Sequence, residues 1–415
     1  MTATRLWFPG HVVRLIRMAA LSTVPMLMAA ATALMILAWG VGSTSMAAES
    51  KESEPAEQFV YIGSTTDDEG PPSEGLYVYR MNSRTGEMRL VSSGHGGLKS
   101  PSFLAFHPNG KFLYAAGYTP EFTGETGAVA AYAIDGKTGA AKLLNAQSSE
   151  GAVPCHLVVD ATGKAVLVAN YSGGSVASLP IGPDGRLAKA ASAIRHGGVP
   201  VGQPSIAKAH SINLDPTNRF AVAADLGLDQ VIVYRFDPMA ARLTPHNPPF
   251  ATVAKGSGPR HAFFHPSSRY LYVINEANCT ATAFAFDAPS GRLTEIQTIS
   301  TIPVPFQDGY STAEILVHPS GRYVYGSNRG HDTIAIFSVD ESTGKLAVVG
   351  HESTQGKTPR NFGIDSTGRF LLAGNQESNT VVQFRIDMQT GRLTPTGLVL
   401  EVPAPLCIRF LPVDQ

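Results

Sequence analysis

From Phe59 to the C-terminus the chain alternates short apolar runs with compact polar clusters, and the alternation repeats. The turn HPNGKF at His107 returns as DATGKA at Asp160, DPTNRF at Asp215, HPSSRY at His265, HPSGRY at His318 and DSTGRF at Asp365. An apolar segment precedes each turn (SFLAF, HLVV, SINL, HAFF, AEILV, NFGI) and another follows it (FLYAAG, AVLVAN, FAVAAD, YLYVIN, YVYGSN, FLLAGN). Pro or Asp opens the turn and Gly or Asn commonly supplies the position that tolerates positive φ, so each unit predicts a β-hairpin. A second turn follows every hairpin: RTGEM at Arg84, KTGAA at Lys137, PDGRL at Pro183, PSGRL at Pro289, STGKL at Ser342 and QTGRL at Gln389, with PMAARL at Pro238 as a divergent copy. It joins a third strand such as VIVYRF to a fourth such as LAVVG. Four antiparallel strands per repeat describe a propeller blade.

The first copy, FVYIGS, GLYVYRM and MRLVSSG, lacks the strand before its hairpin, and PLCIRFLP at Pro405 to Pro412 supplies such a strand at the other end of the chain. The pattern therefore predicts an all-β fold: a seven-bladed β-propeller over residues 59–415, closed by a C-terminal strand that completes the first blade and leaves no open edge between the chain ends. Stacked sheets bury both faces of their inner strands, so runs such as RYVYG and FLLAG are expected as core.

The 415 residues carry a formal net charge of -1, and 16% of them are charged, which provides no basic surplus for nucleic acid. Gly 41 and Pro 29 suit many tight turns. The N-terminus stands apart: Arg5, Arg14 and Arg17 precede an apolar run from Met18 to Trp39, and small residues near Ala47 and Ala48 suit cleavage. Residues 1–50 are expected as an export signal, or as an uncleaved membrane anchor, since the run approaches the roughly 20 residues that span a bilayer. Both readings put the propeller in the periplasm or outside the cell, with the membrane contacted only through the anchor. Residues 51–58, KESEPAEQ, are expected as a polar linker. Cys155, Cys279 and Cys407 cannot all pair and lack metal-ligand spacing; they are expected as buried thiols.

Folding the repeat about its hairpin turn brings the start of each inner strand beside the end of the next. Arg260 and His261 then meet Asn275 and Glu276; His156 meets Asn170 and Tyr171; His210 meets Asp225; Glu314 meets Asn328 and Arg329; Arg360 and Asn361 meet Asn375 and Gln376. All of these fall on one mouth of the channel, while His107, His265 and His318 repeat in the turns of the opposite mouth and are expected to stabilise turns. Strand ends meet water, so single polar residues there satisfy exposed backbone. Two arginines beside Glu276 and Glu314 near a narrow channel ask for more, because such charges must pair or meet a ligand. The set suits an anionic substrate with a reactive carbonyl: arginine forks grip carboxylate or phosphate and stabilise an oxyanion, while a histidine or carboxylate moves the proton.

GSGPR at Gly256 opens no helix and forms no P-loop, no Ser lies in a G-x-S-x-G elbow, and no carboxylates have calcium-loop spacing. Metal-free, cofactor-free proton-transfer chemistry is expected.

At these residues the sequence resembles the seven-bladed propeller lactonases, a family that includes propeller-type 6-phosphogluconolactonase and the fungal carboxymuconate lactonising enzyme. The likeness runs from about Phe59 to Pro412 and is carried by YIGSTT…GLYVYRMNSRTGEM, VANYSGGSVASLPI, AHSINLDPTNRFAVAADLGLDQVIVYRF, GSGPRHAFFHPSSRYLYVINE, AEILVHPSGRYVYGSNRGHDTIAIF and GRFLLAGNQESNTVVQFRID. The resemblance implies a catalytic cluster of His210, Arg260, Glu276 and Arg329, with Glu276 or His210 transferring the proton and the two arginines holding anion and oxyanion. His156, His261, Glu314, Asn328, Arg360, Asn375 and Gln376 are the substrate-binding or supporting candidates. Lys208 stands where members often carry a further His, and Gly117-Tyr118 where the second blade often ends NE. The expected activity is hydrolysis of a small sugar-type or carboxylated lactone found outside the cytoplasm. A non-catalytic binding propeller and a muconate-type lactonising cycloisomerase use the same surface. Rim positions for Arg260 and Glu276 predict that Arg260→Ala and Glu276→Gln keep the fold.

Overall fold

The computed structural model describes residues 56–66, 72–94, 96–198 and 206–413. The predicted leader, residues 1–50, lies outside the described residues, and no helix among those described is long and apolar enough to cross a membrane. Seven four-stranded antiparallel sheets make up the propeller. Blade 1 takes its inner strand, Pro405–Pro412, from the end of the chain; this strand pairs with Glu57–Ser64, which pairs with Leu76–Asn82. The ring is thereby closed by hydrogen bonds between its first and last strands. Strand pairing starts at Glu57, ahead of the expected boundary at Phe59. Gln58 is fully buried and donates from Nε2 to Ser83 Oγ (2.9 Å) and Asp365 Oδ2 (3.0 Å), so the last two residues of the expected linker belong to blade 1.

The repeated turns are what lock one blade to the next. In the second turn the Gly adopts φ of 72° at Gly139, 80° at Gly185, 73° at Gly344 and 73° at Gly391, a region that costs other residues energy. A Cβ there would also strike an aromatic ring of the preceding blade: Phe59 lies 2.7 Å from its position at Gly139, Phe112 2.3 Å at Gly185 and Tyr270 2.3 Å at Gly344. Freed of that clash, the carbonyl of the same Gly accepts a buried tyrosine hydroxyl from the preceding blade: Tyr61 to Gly139 (2.6 Å), Tyr114 to Gly185 (3.0 Å), Tyr272 to Gly344 (3.1 Å) and Tyr325 to Gly391 (2.8 Å). Blade 7 uses Gln383, whose amide donates to Gly86 O in blade 1 (2.8 Å).

The turn histidines at the other mouth work similarly. His107, His265 and His318 each place Nε2 2.9–3.0 Å from the turn glycine carbonyl of the next blade, at Gly163, Gly321 and Gly368. Where the repeat has Asp, the carboxylate accepts the backbone N–H groups of its own turn, as Asp160 does from Lys164 and Ala165. These residues are consumed by the fold.

Candidate active site

Inner strands do not run in simple register with their neighbours. In blade 5, Pro259 pairs with Asn275 and His261 with Ile274, so Arg260 is an extra residue in the ladder. Cys155, His210, Arg360 and Leu406 are skipped in the same way in blades 3, 4, 7 and 1, and blades 2 and 6 have wider irregularities between Lys99 and Phe103 and between Thr312 and Ile315. A bulge re-aims side chains and lets two successive residues face the same way. The result is two stacked layers in the channel: the bulged residues at the mouth, and His156, His261, Glu314 and Asn361 beneath them. Simple hairpin folding misses this offset; His156 pairs with Ala169, and Glu314 lies deeper than the Thr312–Asn328 and Ser311–Arg329 pairs.

At the mouth, Glu276 Oε2 lies 2.8 Å from Arg260 Nε and 3.1 Å from Arg329 Nη2. Neither Arg260 Nε nor Arg329 Nε has an aligned hydrogen-bond acceptor although both atoms are buried. One carboxylate oxygen is thus shared between two guanidiniums that retain donor capacity. Arg360 and Lys208 add further cations near the mouth, Lys208 with its Nζ 4.9 Å from the centroid of the Tyr171 ring. His210 packs edge-on against Tyr171 (5.1 Å) and His261 (5.3 Å), and its Nδ1 lies 3.8 Å from Cys155 Sγ.

Arg260 is 2% exposed, one of the largest fully buried side chains. This corrects the rim position expected from the sequence: the bulge turns Arg260 inward. Its Nη1 donates to Ala313 O (2.6 Å) and approaches His261 Nε2 (3.2 Å), while His261 Nδ1 is 2.9 Å from Glu314 Oε1. Guanidinium has only donors, so His261 must accept at Nε2, carry its proton on Nδ1 and donate it to Glu314. Glu314 also accepts from Ile315 N (3.0 Å) and, in a short contact, from the Asn361 amide. Every donor around Glu314 suits a carboxylate, and the chain Glu314, His261, Arg260 fixes the guanidinium from below.

Several sequence candidates have other employment. Asn328 and Asn375 are fully buried and donate to Thr301 O (2.9 Å) and Thr354 O (3.0 Å), as Asn170 does to Ser149 O (2.8 Å). They fasten the loops around the mouth. His156 and Glu314 belong to the deeper layer; His156 stacks on Phe103 at 4.0 Å. Arg360 and Gln376 are partly exposed at blade 7. Cys279 and Cys407 are buried thiols, but Cys155 is partly exposed in the mouth layer beside His210. Tyr171 was legible as a strand-end position of blade 3, equivalent to Glu276, but the bulge that brings Cys155 into the layer of Arg260 was not; nothing in the local sequence of either marks it as functional.

Burial, reinforced by nearby arginines, sets the proton states. His210 and His261 are held well below the usual imidazole range, by desolvation first and then by Arg260. His156 is lowered too, by desolvation and then by His261. Burial pushes the Cys155 thiol up to about 12 despite Arg260 and Arg360, so it stays protonated and is a poor nucleophile. Burial raises Glu314, and Arg409 opposes that rise.

Three histidines buried neutral make an acid-sensitive fold. Below pH ~6.5 the unfolded chain binds protons that the folded one does not, so stability present above that pH drains away as pH falls towards the depressed folded values, at about 1.4 kcal/mol per pH unit for each group. Glu314 works in the opposite sense, gaining stability as it takes a proton in the folded state, but nearer the carboxylate range. Urea unfolding midpoints are expected to fall between pH 7 and pH 5.5, and His156→Phe should flatten that slope by about one proton. A midpoint independent of pH would contradict these proton states.

A closed seven-bladed β-propeller with a buried, arginine-rich polar mouth is the class that fold and geometry define. Residues 59–410 match the family described as Lactonase, 7-bladed beta-propeller. A 6-phosphogluconolactonase of Bacillus subtilis is 36% identical over 344 residues, covering 82% of this chain and 95% of its own length. A 6-phosphogluconolactonase of Formosa agariphila is 36% identical, covering 74% of this chain and 86% of its own. The solved structure of a periplasmic gluconolactonase from Pseudomonas aeruginosa superposes with a TM-score of 0.78 at 31% identity, covering 86% of this chain and 100% of that one. The chain belongs to the seven-bladed propeller lactonase family.

Proposed function

We propose that the protein is a lactone hydrolase that opens a small aldonolactone or carboxylated lactone at the mouth built by Arg260, Glu276, Arg329 and His210. The observation that carries this reading is the convergence of Arg260 and Arg329 on one oxygen of Glu276, with the buried Nε of Arg329 left as an unused donor. Preorganised donors of this kind stabilise negative charge that develops on a carbonyl oxygen, without reorganising during the reaction.

In this mechanism water attacks the lactone carbonyl carbon and gives its proton to His210, which burial keeps neutral and therefore able to accept it. The carbonyl oxygen becomes an oxyanion held by the two arginines. Collapse breaks the ring C–O bond, the leaving alkoxide takes the proton back from the imidazolium, and the hydroxy acid formed releases its carboxyl proton to water and leaves as a hydroxy-carboxylate. Glu276 holds the two guanidiniums together and limits their mutual repulsion. Arg360 and Lys208 widen the cationic field toward an anionic substrate group.

The Pseudomonas aeruginosa relative is a periplasmic gluconolactonase, and the Arg-flanked apolar N-terminus of this chain reads as an export segment. Together they support a substrate met outside the cytoplasm, for which an unphosphorylated aldonolactone fits better than an intracellular phosphate ester. The test is acid release at constant pH from gluconolactone, its 6-phosphate and a muconolactone-type compound, using the chain without residues 1–50. Turnover above the spontaneous rate is expected for gluconolactone; a flat response to all three would overturn the reading and favour a binding propeller. Loss of diene absorbance from a muconate would identify the lactonising direction.

A further inference from the structure

A second cavity with mostly apolar walls lies away from the arginine mouth. It lies in the same channel beyond the layer of His156 and Glu314, on the side of the HPSG-type turns, with a volume of about 480 Å³. Inner strands contribute to it at one level: Ala105, Val158, Phe263 and Leu316 supply apolar walls, and Arg409 and Asn213 supply polar groups, with Ser366 beside them and His156 and Glu314 at the end nearest the mouth. Phe263 is 37% exposed although it sits on an inner strand, because it faces this cavity. Its size falls within the ~300–1,000 Å³ of small-molecule sites, which are apolar with a few placed polar groups.

We propose that this second cavity binds a small amphipathic monocarboxylate, with the carboxylate on Arg409, Asn213 as a further donor, and the apolar body against Phe263, Leu316 and Val158. Arg409 is only partly engaged: Nη1 donates to Ile408 O (2.8 Å), the guanidinium lies over Phe103 (4.4 Å), and Nη2 stands 4.0 Å from Glu314 Oε2, beyond hydrogen-bond reach. Glu314 has its own donors in His261, Ile315 and Asn361, so Arg409 keeps N–H groups for a ligand. The Asn213 Nδ2 donor is buried with no partner among the described residues. Buried donors without acceptors call for a ligand or water, and a guanidinium fork matches a carboxylate. The walls select the rest of the molecule, since a polyhydroxylated sugar acid would lose hydroxyl hydration against Phe263 and Leu316 without compensation. The site therefore takes a different class of anion from the catalytic mouth, and its occupancy does not depend on the lactonase mechanism.

Calorimetric titration separates the contributions, using the chain from Ser53, which contains the whole closed ring. Octanoate carries head and body, acetate the head alone, and octanol the body alone. Octanoate is expected to saturate with a Kd below about 1 mM, and the other two to bind at least about ten-fold more weakly. Arg409→Gln should abolish the preference for octanoate over octanol, and Leu316→Trp, which fills the cavity, should abolish octanoate binding. Thermal unfolding of both variants establishes that they are folded. No octanoate binding by the unaltered chain, equal binding of octanol, or unchanged affinity in the folded variants would each overturn the proposal.

Discussion

Arg260→Lys is expected to lower kcat/KM on the best lactone by about 10²–10³-fold, the effect of removing one preorganised oxyanion donor. Lysine keeps the positive charge opposite Glu276, so the variant does not strand that carboxylate. What it loses is the fork: one ammonium cannot at once serve Ala313 O and lie against His261 Nε2, as Arg260 does through Nη1, and hold Glu276 at the mouth, as it does through Nε. The loss should fall on kcat, because the donors matter most when the carbonyl oxygen carries charge. Arg260→Ala is a poorer test. It removes a fully buried side chain, leaves the Ala313 carbonyl without its donor and leaves Glu276 to Arg329 alone, so lost folding would mimic lost catalysis. An unchanged kcat/KM in folded Arg260→Lys would remove this residue from the reaction.

The ring itself was open to reading because propeller construction writes the same instruction into every blade. In six of the seven second turns a Gly combines positive φ with room for an aromatic ring of the preceding blade, and the missing first strand reappears as PLCIRFLP. Which residues share a mouth followed from hairpin folding. Their depth did not, because a bulge is a single extra residue that leaves no mark in composition: Arg260 was expected at a rim and is buried, and Glu314 was expected beside Arg329 and instead supports His261 from below. The asparagines misled for a related reason. Asn170, Asn328 and Asn375 all end a second strand and look like a polar rim, yet their amides are spent on loop carbonyls. Arg409 was hidden inside a segment that reads only as an apolar strand, and its role depends on the strand's return to blade 1.

His210→Asn should lower kcat by about 10²–10⁴-fold, the range for loss of a positioned proton acceptor. The substitution keeps a planar polar side chain against Tyr171 and His261 but removes the basic nitrogen. The pH profile carries the more discriminating outcome. Since burial and then the charge of Arg260 hold His210 well below the usual imidazole range, the neutral base persists as pH falls, and kcat/KM of the unaltered enzyme should stay level through pH ~6.5 and decline only below it. His210→Asn should lose that acid limb from its residual rate. If the limb survives in the variant, the proton goes instead to Glu276, whose Oε2 already lies between two guanidiniums, and Glu276→Gln would then have to remove the limb while His210 remained in place. The two carboxyl and imidazole assignments thus predict opposite behaviour in the same pair of variants.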